Sequence, residues 1–77
     1  MKTKVLLFGI LAEEAKQSLI DIENAIDTDT LLERINNMYP GFKKHRFVVA
    51  KNKKIISGNQ SLLESDTVAL LPPFSGG

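Results

Sequence analysis

The most distinctive chemistry in this chain stands at its end, in Leu70-Leu71-Pro72-Pro73-Phe74-Ser75-Gly76-Gly77. Two prolines have no backbone N–H and a fixed φ, so they end strand pairing and hold the chain extended. Gly76 and Gly77 carry no side chain. Pro72 to Gly77 therefore reach about 20 Å at roughly 3.3–3.6 Å per residue, a stiff arm with a thin tip. The α-carboxyl at Gly77, with a reference pKa of roughly 3.3–3.7, is ionised at neutral pH and is a poor electrophile. Acyl chemistry there needs activation, for example as an acyl-adenylate, followed by attack of a sulfur or nitrogen nucleophile. A tip without side chains can enter a narrow channel in another protein. Glycines at frayed ends are common; the strand and the Pro-Pro pair ahead of them argue for function.

The other candidates are weaker. The chain has no cysteine, which excludes a disulfide, a thiolate metal site and a cysteine nucleophile. Sulfur, if the chain handles it, must sit elsewhere than on a side-chain thiol. His45 is the only histidine, has no second ligand at metal spacing, and reads as solvent-exposed. Lys43, Lys44, His45 and Arg46, with Lys51, Lys53 and Lys54, form the sole concentration of charge. A solvated hairpin explains it, with steering towards an acidic partner surface as the functional alternative. A reader of single strands adds base-stacking aromatics to its charge, and only Phe42 and Phe47 are near, so no nucleic acid is expected. Glu13, Glu14, Asp21 and Glu23 make no convincing acid–base pair, because such chemistry needs a concave site that a small chain can hardly enclose. At the tail root, Leu70 reads as core, whereas Leu71 and Phe74 are expected to meet a partner.

The elements that must position the tail fit one small domain. Seventy-seven residues leave no room for two cores, and 43% hydrophobic, 25% charged and a net charge of +1 are globular values. Lys2–Phe8 reads as an interior strand. Met1-Lys2-Thr3-Lys4 and the following apolar run imitate a secretory signal, but the run is short and Gly9 interrupts it. Ile10–Gln17 is helix-prone, and Ser18–Glu23 reads as a second strand. Asp27 or Thr28 caps a helix in which Leu31, Leu32, Ile35 and Met38 share one face, ended by Tyr39-Pro40-Gly41. Arg46–Lys51 is a third strand, Asn52-Lys53 a tight turn and Lys54–Ile56 a short return. Ser61–Glu64 is expected to make one helical turn before the last strand, Thr67–Leu71. With the short return counted as part of the third strand's hairpin, the order β-β-α-β-β with one main helix predicts an α+β fold, with a domain over residues 1–71 and a tail over 72–77. No stretch approaches the roughly 18–20 apolar residues of a membrane span, so a cytoplasmic protein with no membrane partner is expected.

Four stretches carry a family resemblance: V-L-L-F-G-I-L-A-E at 5–13, L-L-E-R-I-N-N-M-Y-P at 31–40, V-V-A-K-N at 48–52 and D-T-V-A-L-L-P-P-F-S-G-G at 66–77. The chain resembles the small, sulfur-carrying subunit of molybdopterin synthase, a ubiquitin-like β-grasp protein, along essentially its whole length. A bare Gly-Gly end is shared with ubiquitin-like modifiers and the thiamine-pathway sulfur carrier, whereas Pro-Pro-x-Ser-Gly-Gly is similar to the molybdopterin group. Ala12 stands where relatives often carry a basic residue, and Phe74 is bulkier than the usual Val or Ile.

The resemblance implies that an adenylating partner activates the Gly77 carboxylate with ATP and that a sulfur donor converts it to a thiocarboxylate. The large synthase subunit, in a heterotetramer, then receives the tail, and the sulfur passes to the cyclic pterin precursor. Pro72, Pro73, Ser75 and Gly76 thread the tail, Leu71 and Phe74 bind the partner, and the catalytic side chains belong to the large subunit. No metal or permanently bound cofactor is implied. The rival readings are another β-grasp sulfur carrier, serving a thiamine or amino-acid pathway, a ubiquitin-like modifier joined to lysines, and a binding module with an inert tail.

Overall fold

A computed structural model of the chain describes residues 2–73. Strand β1 (Lys2–Leu7) buries Thr3, Val5 and Leu7 on one side and leaves Lys2 and Lys4 exposed on the other, the period-two pattern of a pleated strand. Phe8 stays extended, and the chain turns into helix α1 (Gly9–Ala15), which buries Leu11 and ends at Lys16 in a left-handed conformation. Strand β2 (Leu19–Glu23) returns antiparallel to β1 and buries Ile20 and Ile22.

Helix α2 (Thr28–Met38) is capped as its sequence dictates: the Asp27 carboxylate accepts the Thr30 N–H at 2.9 Å, and Asp29 lies in the first turn. Thr28, Leu31 and Ile35 are buried, but the apolar face is shorter than expected. Leu32 is half-buried and Met38, which borders a shallow concavity beside β2, is 51% exposed. Tyr39-Pro40 does end the helix. The chain then tightens into a 3₁₀ segment (Pro40–Lys44) that drops Phe42 completely into the core, with its ring stacked on Tyr39 at 5.0 Å.

The remaining strands are β3 (Val48–Lys51), β4 (Lys54–Ile56) and β5 (Thr67–Leu71). Asn52 and Lys53 both have positive φ, as a two-residue hairpin turn requires. β3 starts two residues later than Arg46 because its partner runs out: Val48 pairs with Leu71, and the next residue of β5's chain is a proline with no N–H to donate. Ser61–Glu64 forms no helical turn. Ser61 bridges to Asp27 in extended conformation, the Leu62 N–H donates to the Ile26 carbonyl at 2.9 Å, and Leu62 is buried.

The five strands order as β2-β1-β5-β3-β4, with β1 and β5 parallel and the other neighbours antiparallel. One core holds Val5, Leu7, Ile20, Ile22, Val68 and Leu70 from the sheet together with Leu11, Leu31, Ile35 and Phe42 from the helical segments. Both helices thus cover the same face of a mixed sheet, the α+β arrangement expected. The first and last strands lie side by side at its centre, and the opposite face is uncovered.

Candidate functional site

The tail leaves the sheet from its middle. β5 is flanked by β1, through Val5↔Val68 and Leu7↔Leu70, and by β3, through Val49↔Leu70 and Val48↔Leu71. Leu70 is fully buried, and Leu71, one residue on, is half-buried on the uncovered face. Pro72 is half-buried and Pro73 exposed. Phe74, Ser75, Gly76 and Gly77, which the sequence singles out, lie outside the described residues.

Beside this exit the uncovered face is concave. Cross-strand register lines up Leu19, Leu6, Ala69, Ala50 and Ile55, one from each strand. Large side chains stand at both ends of that row and two alanines form its floor. The result is a shallow groove of about 580 Å³ bordered by Leu6, Phe8, Ile55 and Leu71, with Asn52, Lys53 and Thr67 at its far end. Phe8 and Ile55 are 43% and 70% exposed. Exposed apolar side chains around a concavity, continuous with the tail root, suit docking of another protein. Sequence reading finds Leu71 here but misses the floor. Ala50 and Ala69 look like ordinary strand residues, and only the pairing of β5 with β3 brings them together.

A polar clasp holds the start of β5. Asn52 Nδ2 donates to Asp66 Oδ1 at 2.8 Å, and Asn52 Oδ1 accepts the Thr67 N–H at 3.0 Å. Asp66 Oδ2 accepts the Leu63 N–H at 2.8 Å. The Asp66 carboxyl is accordingly held below its ordinary range, first by the Leu63 N–H, then by the Asn52 amide, with the Lys51 charge adding to both. A second cluster binds the loop before β5 to α2. Asn59 Oδ1 accepts the Asp29 N–H at 2.8 Å, its Nδ2 donates to Asp27 at 3.2 Å, and Thr28 Oγ1 accepts the Gln60 N–H at 2.9 Å.

The structure redistributes the remaining candidates. His45 is not a free surface histidine: its Nε2 lies 2.9 Å from Glu14 Oε1, tying α1 to the 3₁₀ segment. The basic residues do not form one hairpin patch. Lys43 to Arg46 precede β3 at the end where Leu71 leaves the sheet, and Lys51, Lys53 and Lys54 surround the turn at the opposite end of β3. Asp21 and Glu23 stand across from Lys4 and Lys2 on neighbouring strands. Among the described residues, no three His, Cys, Asp or Glu side chains are grouped to hold a metal ion, and no helix is long and apolar enough to cross a membrane.

Solved structures share this architecture. The chain is 30% identical, with a TM-score of 0.73, to a chain from the complex of subunits 1 and 2 of molybdopterin-converting factor of Helicobacter pylori, each covered over 100% of its length. A subunit 1 of a molybdopterin-converting factor, so described with reserve, from Pyrococcus furiosus superposes with a TM-score of 0.81 at 25% identity, over 96% of this chain and 99% of that one. The small archaeal modifier protein 1 of Methanosarcina acetivorans shares the fold at 24% identity and a TM-score of 0.84, over 99% and 96% of the two chains. These neighbours are ubiquitin-like β-grasp proteins. The sequence model of the ThiS family matches residues 5–77, and with that match and this topology the chain belongs to the ThiS family, the ubiquitin-like sulfur-carrier fold.

Proposed function

We propose that the chain is the sulfur-carrying small subunit of a molybdopterin synthase. The observation that carries the reading is the placement of the tail root. A central strand, paired on both sides, runs out through Pro72 and Pro73 beside an uncovered apolar groove. The 30% identity over the full length of a chain found in a molybdopterin-converting factor complex supports this pathway over others. In this reading residues 1–71 are the domain that docks and residues 72–77 the arm that delivers. Pro72, Pro73, Ser75 and Gly76 thread the arm into the partner, and Leu71 with Phe74 extends the apolar contact.

The reaction belongs to Gly77. Its carboxylate oxygen attacks the α-phosphorus of ATP on an adenylating enzyme, and pyrophosphate leaves. Sulfur at the sulfide level from a donor attacks the acyl carbon, AMP leaves, and a thiocarboxylate remains. On the large subunit the sulfur bonds to a carbon of the cyclic pterin precursor in place of an oxygen substituent, which leaves, and water attacks the acyl carbon, breaks its bond to sulfur and restores the carboxylate. The small subunit contributes reach and docking, the catalytic side chains come from the large subunit, and the cycle runs in the cytoplasm.

Intact-mass measurement of the chain made together with its activating partner tests the reading. The expected result is replacement of one oxygen by one sulfur, with alkylation of the thiocarboxylate excluding oxidation, followed by loss of that sulfur when the large subunit and the pterin precursor are added. Gly77 found only in isopeptide linkage to lysines would replace this reading with that of a protein modifier. A stable thiocarboxylate that the large subunit never consumes would move the carrier to another pathway.

A further inference from the structure

Gly9 is where β1 turns into α1, and it is also where the tail root rests. Its backbone has φ +59°, the left-handed region that side chains disfavour. A Cβ built there would stand 3.2 Å from Cγ of Pro72, with Cδ at 3.8 Å and Cβ at 3.9 Å. The Pro72 ring therefore lies over backbone left bare by the absence of a side chain at position 9. The first proline has a seat, half-buried, and the exposed second proline has none.

The seat is fixed from behind. Leu11 anchors α1 in the core, Gln17 Nε2 donates to the Tyr39 hydroxyl at 2.8 Å, and Glu14 holds His45. Opposite it, the end of β5 is pinned to β1 and β3. Because proline's φ is fixed by its ring, the place where that ring rests sets the direction of the chain that follows.

We propose that Gly9 is a positioning residue. By leaving room for the Pro72 ring it sets the line on which Pro72 and Pro73 leave the sheet, and so the direction from which a partner must receive the chain beyond them. The role in delivery rests on the sulfur-carrier reading; the seat does not. Reacting atoms must meet within about 3–3.5 Å, and a misplacement near 1 Å costs on the order of 10²-fold, so the direction in which the arm is presented bears on the rate of delivery.

Gly9→Asn tests this, because asparagine tolerates left-handed φ and adds a Cβ without unwinding the turn. A nitroxide on Ser75→Cys, the sole cysteine, reports through broadening of backbone amide signals which amides of the domain position 75 approaches. Gly9→Asn is expected to unfold cooperatively near the parent midpoint and to shift the broadening pattern. Single-turnover sulfur delivery to saturating large subunit should slow about tenfold, while the affinity for that subunit stays within about twofold. Pro72→Ala, which empties the seat without touching Gly9, should act in the same direction, and the double variant should be no worse than Pro72→Ala alone. If Gly9→Asn fails to fold, Pro72→Ala supplies both readouts. An unchanged broadening pattern overturns the seat. A shifted pattern with parental delivery overturns the positioning role. If the unsubstituted chain delivers no sulfur, the carrier reading fails with the delivery role that rests on it, and the broadening pattern still decides the seat.

Discussion

Leu70 and Leu71 are neighbours in one strand on opposite faces of the sheet, so truncating each separates what the domain needs from what a partner needs. Leu70 is fully buried among the core side chains. Leu70→Ala should cost about 2–5 kcal/mol. A 77-residue domain has about 4–12 kcal/mol in all at roughly 0.05–0.15 kcal/mol per residue, so the loss is a large share of the total. Leu71 is half-buried on the groove side. Full burial of a leucine is worth about 1.5–3 kcal/mol, so losing half of it costs the isolated domain about 1 kcal/mol. Docking on the groove would cover the rest. Truncation near the centre of an interface then costs about 2 kcal/mol of binding, roughly thirtyfold in Kd. Urea unfolding of both variants, with m unchanged, and titration of Leu71→Ala with the large subunit measure the two quantities. If Leu71→Ala destabilises the domain as much as Leu70→Ala, or binds the partner as tightly as the parent, the assignment of the groove to docking is refuted.

Phe42→Ala should cost about 3–5 kcal/mol, because the buried ring is a pillar of the core, and a urea midpoint close to the parent's would show that the 3₁₀ segment contributes little. The carboxyls of Asp66 and Asp27 are held below their ordinary range, the latter by Thr30 and then Asn59. Their contribution is therefore complete above the unfolded value of about 3.9 and is lost as pH falls through the folded one. Asp66→Asn should flatten the fall of the unfolding midpoint with pH below about pH 4, and an unchanged pH profile would count against the clasp. Extending the chain by one residue after Gly77 should abolish sulfur delivery and leave thermal unfolding unchanged; delivery at the parental rate would mean that reach is not what matters. Gly76→Val should likewise slow thiocarboxylate formation or transfer without altering the melt, since a β-branched residue stiffens the chain beside the reacting carbonyl, and normal rates in both steps would remove threading as the reason for the glycines.

The parts of the fold that show in the sequence are those held together by near neighbours. Short apolar runs mark β1 and β5, spacing and the Asp27 cap mark α2, and the prolines mark where pairing stops. The parts that do not show are held by partners far apart in the chain. Asn59 bonds to Asp27 across 32 positions and His45 meets Glu14 across 31, so neither the pairing of Ser61 with Asp27 nor that of the histidine follows from local propensity. The groove is hidden for the same reason, since its floor needs Ala69 and Ala50 brought opposite each other by the β5–β3 register. Leu71 draws notice in the sequence because it is an apolar residue directly before the two prolines. Gly9 reads only as an interruption of an apolar run until Pro72 is seen resting on it.

The central place of β5 also decides how the domain answers force. A partner that grips the arm and draws it into a channel pulls along the axis of β5, and inter-strand hydrogen bonds lie across that axis. Tension is shared at once by the ladder to β1 and the ladder to β3, instead of opening one bond after another as it would on an edge strand. The arm can be drawn taut while the body stays shut.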